Sequence, residues 1–163
     1  MASAADPGVD ERRLTVAKRI LVPLDTSQLA ESALPFVADA ARGSGATVRL
    51  LHVAPFPETR MTKDGRVIAY ADQERERLQA EGIDYLQTAE LHLEGVPVEC
   101  AVRFGDPVGE ILREAEAFGA DLIVVTTAGR GAIRRAMLGS VAEQVFRRAD
   151  IPVALFRFAR PAE

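Results

Sequence analysis

Hydrophobic positions along the chain follow two spacings that take turns. Short apolar runs, such as RILVPL at residues 19–24 and DLIVVT at 121–126, alternate with stretches in which apolar residues recur every three or four positions. The first spacing predicts strands buried on both faces, and the second predicts amphipathic helices. Further strands are predicted at 47–53 (TVRLLHV), 97–102 (PVECAV) and 151–158 (IPVALFRF). A helix after the first strand would place Leu29, Ala33, Phe36, Val37 and Ala40 inward and end at Gly43-Ser44-Gly45. Pro35 would sit inside it, removing one backbone bond and bending it. A long helix over about 72–93 has Leu78, Gly82, Tyr85, Leu86, Ala89 and Leu93 on its inner face. Asp106 and Pro107 read as N-cap and first residue of another helix, with Val108, Ile111, Leu112 and Ala115 inward and Gly119 at its close. A last helix is expected over about 141–148. Residues 55–69 read as an irregular loop with charges and a Lys-Asp-Gly turn.

Strands and helices therefore alternate as βαβαβαβαβ. This order predicts one α/β domain, an open parallel sheet with right-handed crossovers and helices on both faces. The domain is expected over residues 18–158, with a flexible N-terminal tail at 1–17 and a short C-terminal tail at 159–163. In such a sheet a ligand sits beyond the carboxyl ends of the strands, where the strand order reverses. The two most unusual strand ends are Pro23-Leu24-Asp25 and the segment from Thr126 to Gly131. If both line one site, the first and fourth strands are neighbours.

Composition narrows the partners. The chain has 163 residues, 48% hydrophobic and 27% charged, enough for a core and a solvated surface. A net charge of −4 argues against a general nucleic-acid binder, and no Trp with two Tyr leaves few stacking platforms. The single cysteine, Cys100, excludes an internal disulfide framework and fits a reducing compartment. No apolar run approaches the roughly 18 residues of a membrane span. The opening MASAADPGVDERR lacks the pattern of a secretory signal. The expectation is a cytoplasmic protein with neither nucleic acid nor membrane as a partner.

Candidate chemistry concentrates after the fourth strand. A Walker loop is absent because no Gly-Lys pair occurs, and Arg134 stands where a dinucleotide fingerprint needs its last glycine. What remains is Gly129, nine residues, then Gly139-Ser140. Glycines admit close backbone approach, and a helix N-terminus favours an anion. Arg130, Arg134 and Arg135 would add charge-assisted bonds to phosphate. The alternative is structural: Ser140-Val141-Ala142-Glu143 also fits a capping box, which needs no ligand. Asp25 likewise has two readings, an acceptor for ribose or adenine groups or a cap for the next helix with Thr26 and Ser27. His52 within the second strand reads as a packed or hydrogen-bonded residue, His92 as surface, and Cys100 as core between Val98 and Val102. No Cys/His cluster has metal spacing, and no nucleophile has a recognisable base.

Four segments together carry a resemblance. ILVPLDTS, VRLLHV, GDPVGEIL with ADLIVV, and GRGAIRRAMLGSVAEQVFRRADIPVALF are similar to the corresponding segments of the universal stress proteins, over about Lys18 to Phe158. The resemblance implies a five-stranded parallel sheet in order 3-2-1-4-5, Rossmann-like, of the adenine nucleotide alpha hydrolase-like kind. It implies a homodimer formed through the strand Ile151–Phe158, a further protein partner left open, and no haem, flavin or structural metal. Some members bind ATP through G-2x-G-9x-G-S/T, and here Thr126 replaces the first glycine. Were a positive φ required there, Thr would be strained; at a plain strand end it is comfortable. Carried over, Pro23, Leu24 and Asp25 would border adenine and ribose, with Val53 presenting backbone to the base. Thr126 would lie near the ribose, and Gly129, Arg130 and Gly131 would approach ribose and phosphates. Gly139, Ser140 and Val141 would bind phosphates, with Mg²⁺ held through the phosphates and Asp25. The function implied is ATP binding as a regulatory ligand in a stress response. A non-nucleotide-binding member acting through protein contacts is the alternative, and a slow ATP hydrolase the second.

Overall fold

The computed structural model describes residues 17–127 and 139–157. The tails expected at 1–17 and 159–163 lie, but for Ala17, outside the described residues. In chain order the elements are β1 (Arg19–Pro23), α1 (Gln28–Glu31), α2 (Leu34–Ser44), β2 (Thr47–Ala54), β3 (Arg60–Met61), β4 (Val67–Ala69), α3 (Ala71–Glu90), β5 (Val98–Phe104), α4 (Pro107–Phe118), β6 (Leu122–Thr127), α5 (Ser140–Arg148) and β7 (Val153–Arg157).

Five strands form one sheet in the order β5-β2-β1-β6-β7. Counting only these five, that is 3-2-1-4-5, and every pairing is parallel. The apolar run of β1 explains its central place. Ile20 and Val22 join a core beneath α2 and α3, while Leu21 joins a second core beneath α4 and α5. A strand apolar on both faces is stable only when both are covered. β1 pairs with β2 on one side and β6 on the other, so the order reverses between β1 and β6 as expected. The Asp121 carboxylate fastens this junction by accepting the backbone amides of Lys18 (2.9 Å) and Arg19 (3.0 Å).

The helix after β1 differs from expectation. It is two helices, broken at Ser32 and Ala33, and Pro35 falls in the first turn of α2. An N–H there has no intrahelical acceptor, so the proline removes nothing and bends nothing. The break also shifts the phase of the inner face. Leu34, Val37, Ala38 and Ala41 are buried, whereas Ala40 is exposed. Phe36 is half exposed and instead lies against Phe156 of β7, ring centroids 5.8 Å apart. Residues 55–69 are likewise more ordered than expected: β3 and β4 pair antiparallel around the Asp64-Gly65 turn.

Two packing features set the geometry around the strand ends. α3 crosses β2 and β5 so closely that a Cβ on Gly82 would come within 2.8 Å of Val102 Cγ2 and 3.3 Å of His52 Cδ2. On the opposite face α4 carries two buried carboxylates, Glu110 and Glu114. Glu114 accepts from Arg49 of β2 at 2.6 Å and from Arg103 of β5, tying both strands to the helix. The Arg49 guanidinium also lies 4.1 Å from the Phe118 ring centroid. The expected N-cap holds: Asp106 accepts from the Gly109 amide at 2.8 Å.

Candidate functional site

A cleft of about 180 Å³ opens at the carboxyl ends of β1, β2 and β6, where the strand order reverses. Pro23, Leu24 and Asp25 form one wall, Val53 and Leu51 the floor, and Val125 and Thr126 the far side. Pro107 and Ile111 of α4 and Val141 and Ala142 of α5 close it. The lining is mostly apolar, with the Asp25 carboxylate as its charged group, a composition suited to a flat apolar ring carrying polar substituents.

The Asp25 turn is tightly organised. Leu24 donates its amide to Leu51 O at 2.8 Å and accepts at its own carbonyl from His52 Nδ1 at 3.0 Å. A carbonyl can only accept, so Nδ1 carries the proton. Asp25 Oδ1 accepts from the Ser27 amide at 3.0 Å and from the Ser27 hydroxyl. The Ser27 hydroxyl caps α1 by accepting from the Ala30 amide at 3.1 Å. Asp25 therefore supports the cap rather than being it, and among the described residues only its Oδ1 has a hydrogen-bond partner. Thr26 has φ +69°, an uncommon conformation for a β-branched residue that costs ~1 kcal/mol or more. The buried Tyr85 hydroxyl sits beneath this turn, with no hydrogen bond of ordinary geometry among the described residues. Burial, reinforced by the neighbouring Glu31 carboxylate, raises its pKa well above the usual tyrosine value.

Thr126 belongs to strand β6 and is paired in register with Phe156. Its backbone is not in the positive-φ region, so the strain considered for this position falls on Thr26 instead. Ser140 also differs from expectation. It is the first residue of α5, Gly139 is the N-cap, and no side chain of the described residues caps that end. The capping-box reading of Ser140 and Glu143 is therefore wrong. The chain enters α5 through an extended Gly139 (φ −50°, ψ 144°), one residue earlier than that reading required. Free amides at an uncapped N-terminus carry partial positive charge.

The model of the universal stress protein family matches residues 17–157. The chain belongs to this family. Universal stress protein YxiE of Bacillus subtilis is 30% identical over 145 residues, spanning 85% of this chain and 98% of that protein. The solved structure of hypothetical protein MJ0577, a universal stress protein of Methanocaldococcus jannaschii, superposes with a TM-score of 0.72 at 28% identity, covering 89% of this chain and 99% of that one. The same fold occurs in a universal stress protein in complex with cAMP (TM-score 0.61, 20% identity, 87% and 98% covered). It occurs also in the Archaeoglobus fulgidus universal stress protein in complex with dAMP (TM-score 0.54, 24% identity, 86% and 98% covered).

In this universal stress protein the cleft gathers Pro23, Leu24, Asp25, Val53, Thr126 and Val141 of the expected residues. Gly139 and Ser140 stand just before Val141 and do not line it. Gly129, Arg130 and Gly131, with Arg134 and Arg135, lie outside the described residues. Among the described residues no three His, Cys, Asp or Glu side chains gather as a metal site, and no helix is long and apolar enough to cross a membrane. Cys100 is half buried beside Glu90, and burial pushes its thiol pKa up to about 11, which makes it a poor nucleophile. Sequence reasoning missed the apolar contribution of α4, Pro107 and Ile111, to the cleft.

Proposed function

We propose that this universal stress protein binds ATP as a regulatory ligand in the cleft between Asp25 and the first turn of α5. The observation carrying the reading is that one cleft joins three features. These are an apolar floor, the Asp25 carboxylate, whose Oδ2 has no partner among the described residues, and the first turn of a helix with no side-chain cap among those residues. Adenine suits the floor formed by Leu51 and Val53. Ribose hydroxyls donate to Asp25 Oδ2. Phosphates accept from the amides of Ser140 and Val141, with the Ser140 hydroxyl as a further donor. A Mg²⁺ ion would be held by the phosphates and Asp25 and would neutralise phosphate charge. The complexes of two same-fold proteins with cAMP and dAMP are compatible with this assignment.

Calorimetric titration with ATP and Mg²⁺ tests it: saturable binding is expected, and no heat up to millimolar ATP would sink the reading. Thr126→Gly is expected to bind ATP equally or more tightly, because Thr126 is the penultimate residue of β6 and only narrows the space near the ribose. Marked weakening in that variant would show that the hydroxyl contacts the nucleotide.

A homodimer through β7 is the second part of the proposal. β7 is an edge strand, paired on one side only, and Val153–Phe156 are half buried and apolar. Such an edge invites pairing with another strand. Sedimentation is expected to give twice the 17.6 kDa of one chain; a concentration-independent monomer would refute the pairing.

A further inference from the structure

We propose that His52 is a positioning residue of the cleft: its Nδ1–H grips the Leu24 carbonyl and so fixes the Leu24–Asp25–Thr26 turn for a nucleotide. This rests on the nucleotide reading of the cleft. His52 points away from the cleft, into the core face shared with α3, and among the described residues its hydrogen bond to the site is to the backbone of Leu24. The ring has little freedom there. The α3 backbone at Gly82 lies against its Cδ2 edge, and Tyr85 meets it edge-on with centroids 5.9 Å apart. Leu24 is thereby held twice by neighbouring residues of β2, at its amide by Leu51 and at its carbonyl by His52. The next residue, Asp25, presents the carboxylate, and the one after, Thr26, has the positive φ. A strained residue persists only where its surroundings over-determine it. Among the described residues, His52 pins this turn from below and Ser27 from ahead. Losing the lower pin would let the Asp25 carboxylate wander from the ribose position, and misplacement of that kind weakens binding without removing any ligand contact.

Asparagine offers an N–H at the same number of bonds from the backbone as His Nδ1, whereas leucine fills space without a donor. The full-length His52→Leu variant is expected to bind ATP about tenfold more weakly than wild type, and His52→Asn within about threefold. Melting temperatures should rank the other way, because leucine suits an apolar face better than asparagine. Opposite rankings separate positioning from general destabilisation. Wild-type affinity in His52→Leu would overturn the proposal, as would affinity losses that follow melting temperature in both variants. Should wild type itself not bind ATP, the nucleotide reading fails, and amide hydrogen exchange on the ligand-free proteins decides the role of His52. Exchange at Ser27 and Ala30 at least about tenfold faster in His52→Leu, but not in His52→Asn, supports it; unchanged exchange in both overturns it.

Discussion

Gly139→Val is expected to lose ATP affinity by at least about a hundredfold while the ligand-free protein keeps its fold. No heavy atom of the described residues lies within 4 Å of a Cβ built on Gly139, so none of them crowds a side chain's first atom there. Its backbone (φ −50°, ψ 144°) is a conformation any residue adopts, so valine adds no backbone strain. The cost to α5 is that of a poor N-cap, about 1 kcal/mol. In the proposed complex the phosphates would approach the first amides of α5 through the space beside this position, and a branched side chain there would hold them off. Calorimetry for binding and thermal unfolding for stability check the two halves together. Retained affinity would place the phosphates elsewhere. Gly139→Ala, with a single methyl group, should fall between the two.

Glu114→Ala is expected to destabilise the protein by about 3 kcal/mol, a fall in Tm of roughly 10 °C. Glu114 is only 4% exposed, and its two oxygens accept from arginines on different strands. Removing it leaves Arg49 and Arg103 facing each other across β2 and β5 without their shared anion, although Arg49 keeps Glu99 and Arg103 keeps Glu110. Glu114→Gln keeps the shape and one acceptor, so about half that loss is expected. The pH dependence has a definite sign. Burial alone would raise the Glu114 pKa, but the bonds from Arg103 and Arg49 outweigh it and hold the carboxyl below its ordinary value. A depressed folded-state pKa contributes stability that is complete above the unfolded value of about 4.3 and is lost as pH falls through the folded value. The difference between wild type and Glu114→Ala should therefore narrow in acid. Urea unfolding at pH 7 and pH 3 measures it, and an equal difference at both would show that packing, not charge, makes the contribution.

The strands were legible because burial on both faces writes a continuous apolar run, as in Ile20–Val22 and Ile123–Val125. Helix interruptions were not. The apolar recurrence through Leu29, Ala33 and Phe36 continues smoothly across the break at Ser32-Ala33. A Pro in the first turn and a Pro in mid-helix look alike until the start of the helix is known. The hairpin at β3 and β4 escaped because two- and three-residue strands are too short to show a period. At the site, Asp25, Thr126 and Val53 could be placed because strand ends in a parallel sheet share one side of the molecule. The bond from His52 to the Leu24 carbonyl spans 28 residues and exists only once β1 and β2 are paired, so no local pattern announces it. Which threonine bears the left-handed backbone was equally hidden, since Thr26 and Thr126 both lie close to the end of a strand.

The central strand acquires its two neighbours at very different times. β2 follows β1 within one short crossover, but β6 begins only at Leu122, and the Asp121 clamp lies 103 residues beyond Lys18. On a ribosome adding residues at ~5–20 per second, the flank of β1 that will receive β6 stays open for on the order of ten seconds after the first is covered. That flank belongs to one of the most apolar stretches of the chain, and an unpaired apolar strand is a template for wrong partners. The long connection through β5 and α4 therefore sets how long that flank stays unpaired during synthesis. The Asp121 carboxylate, taking the amides of Lys18 and Arg19, is the latch that ends that period.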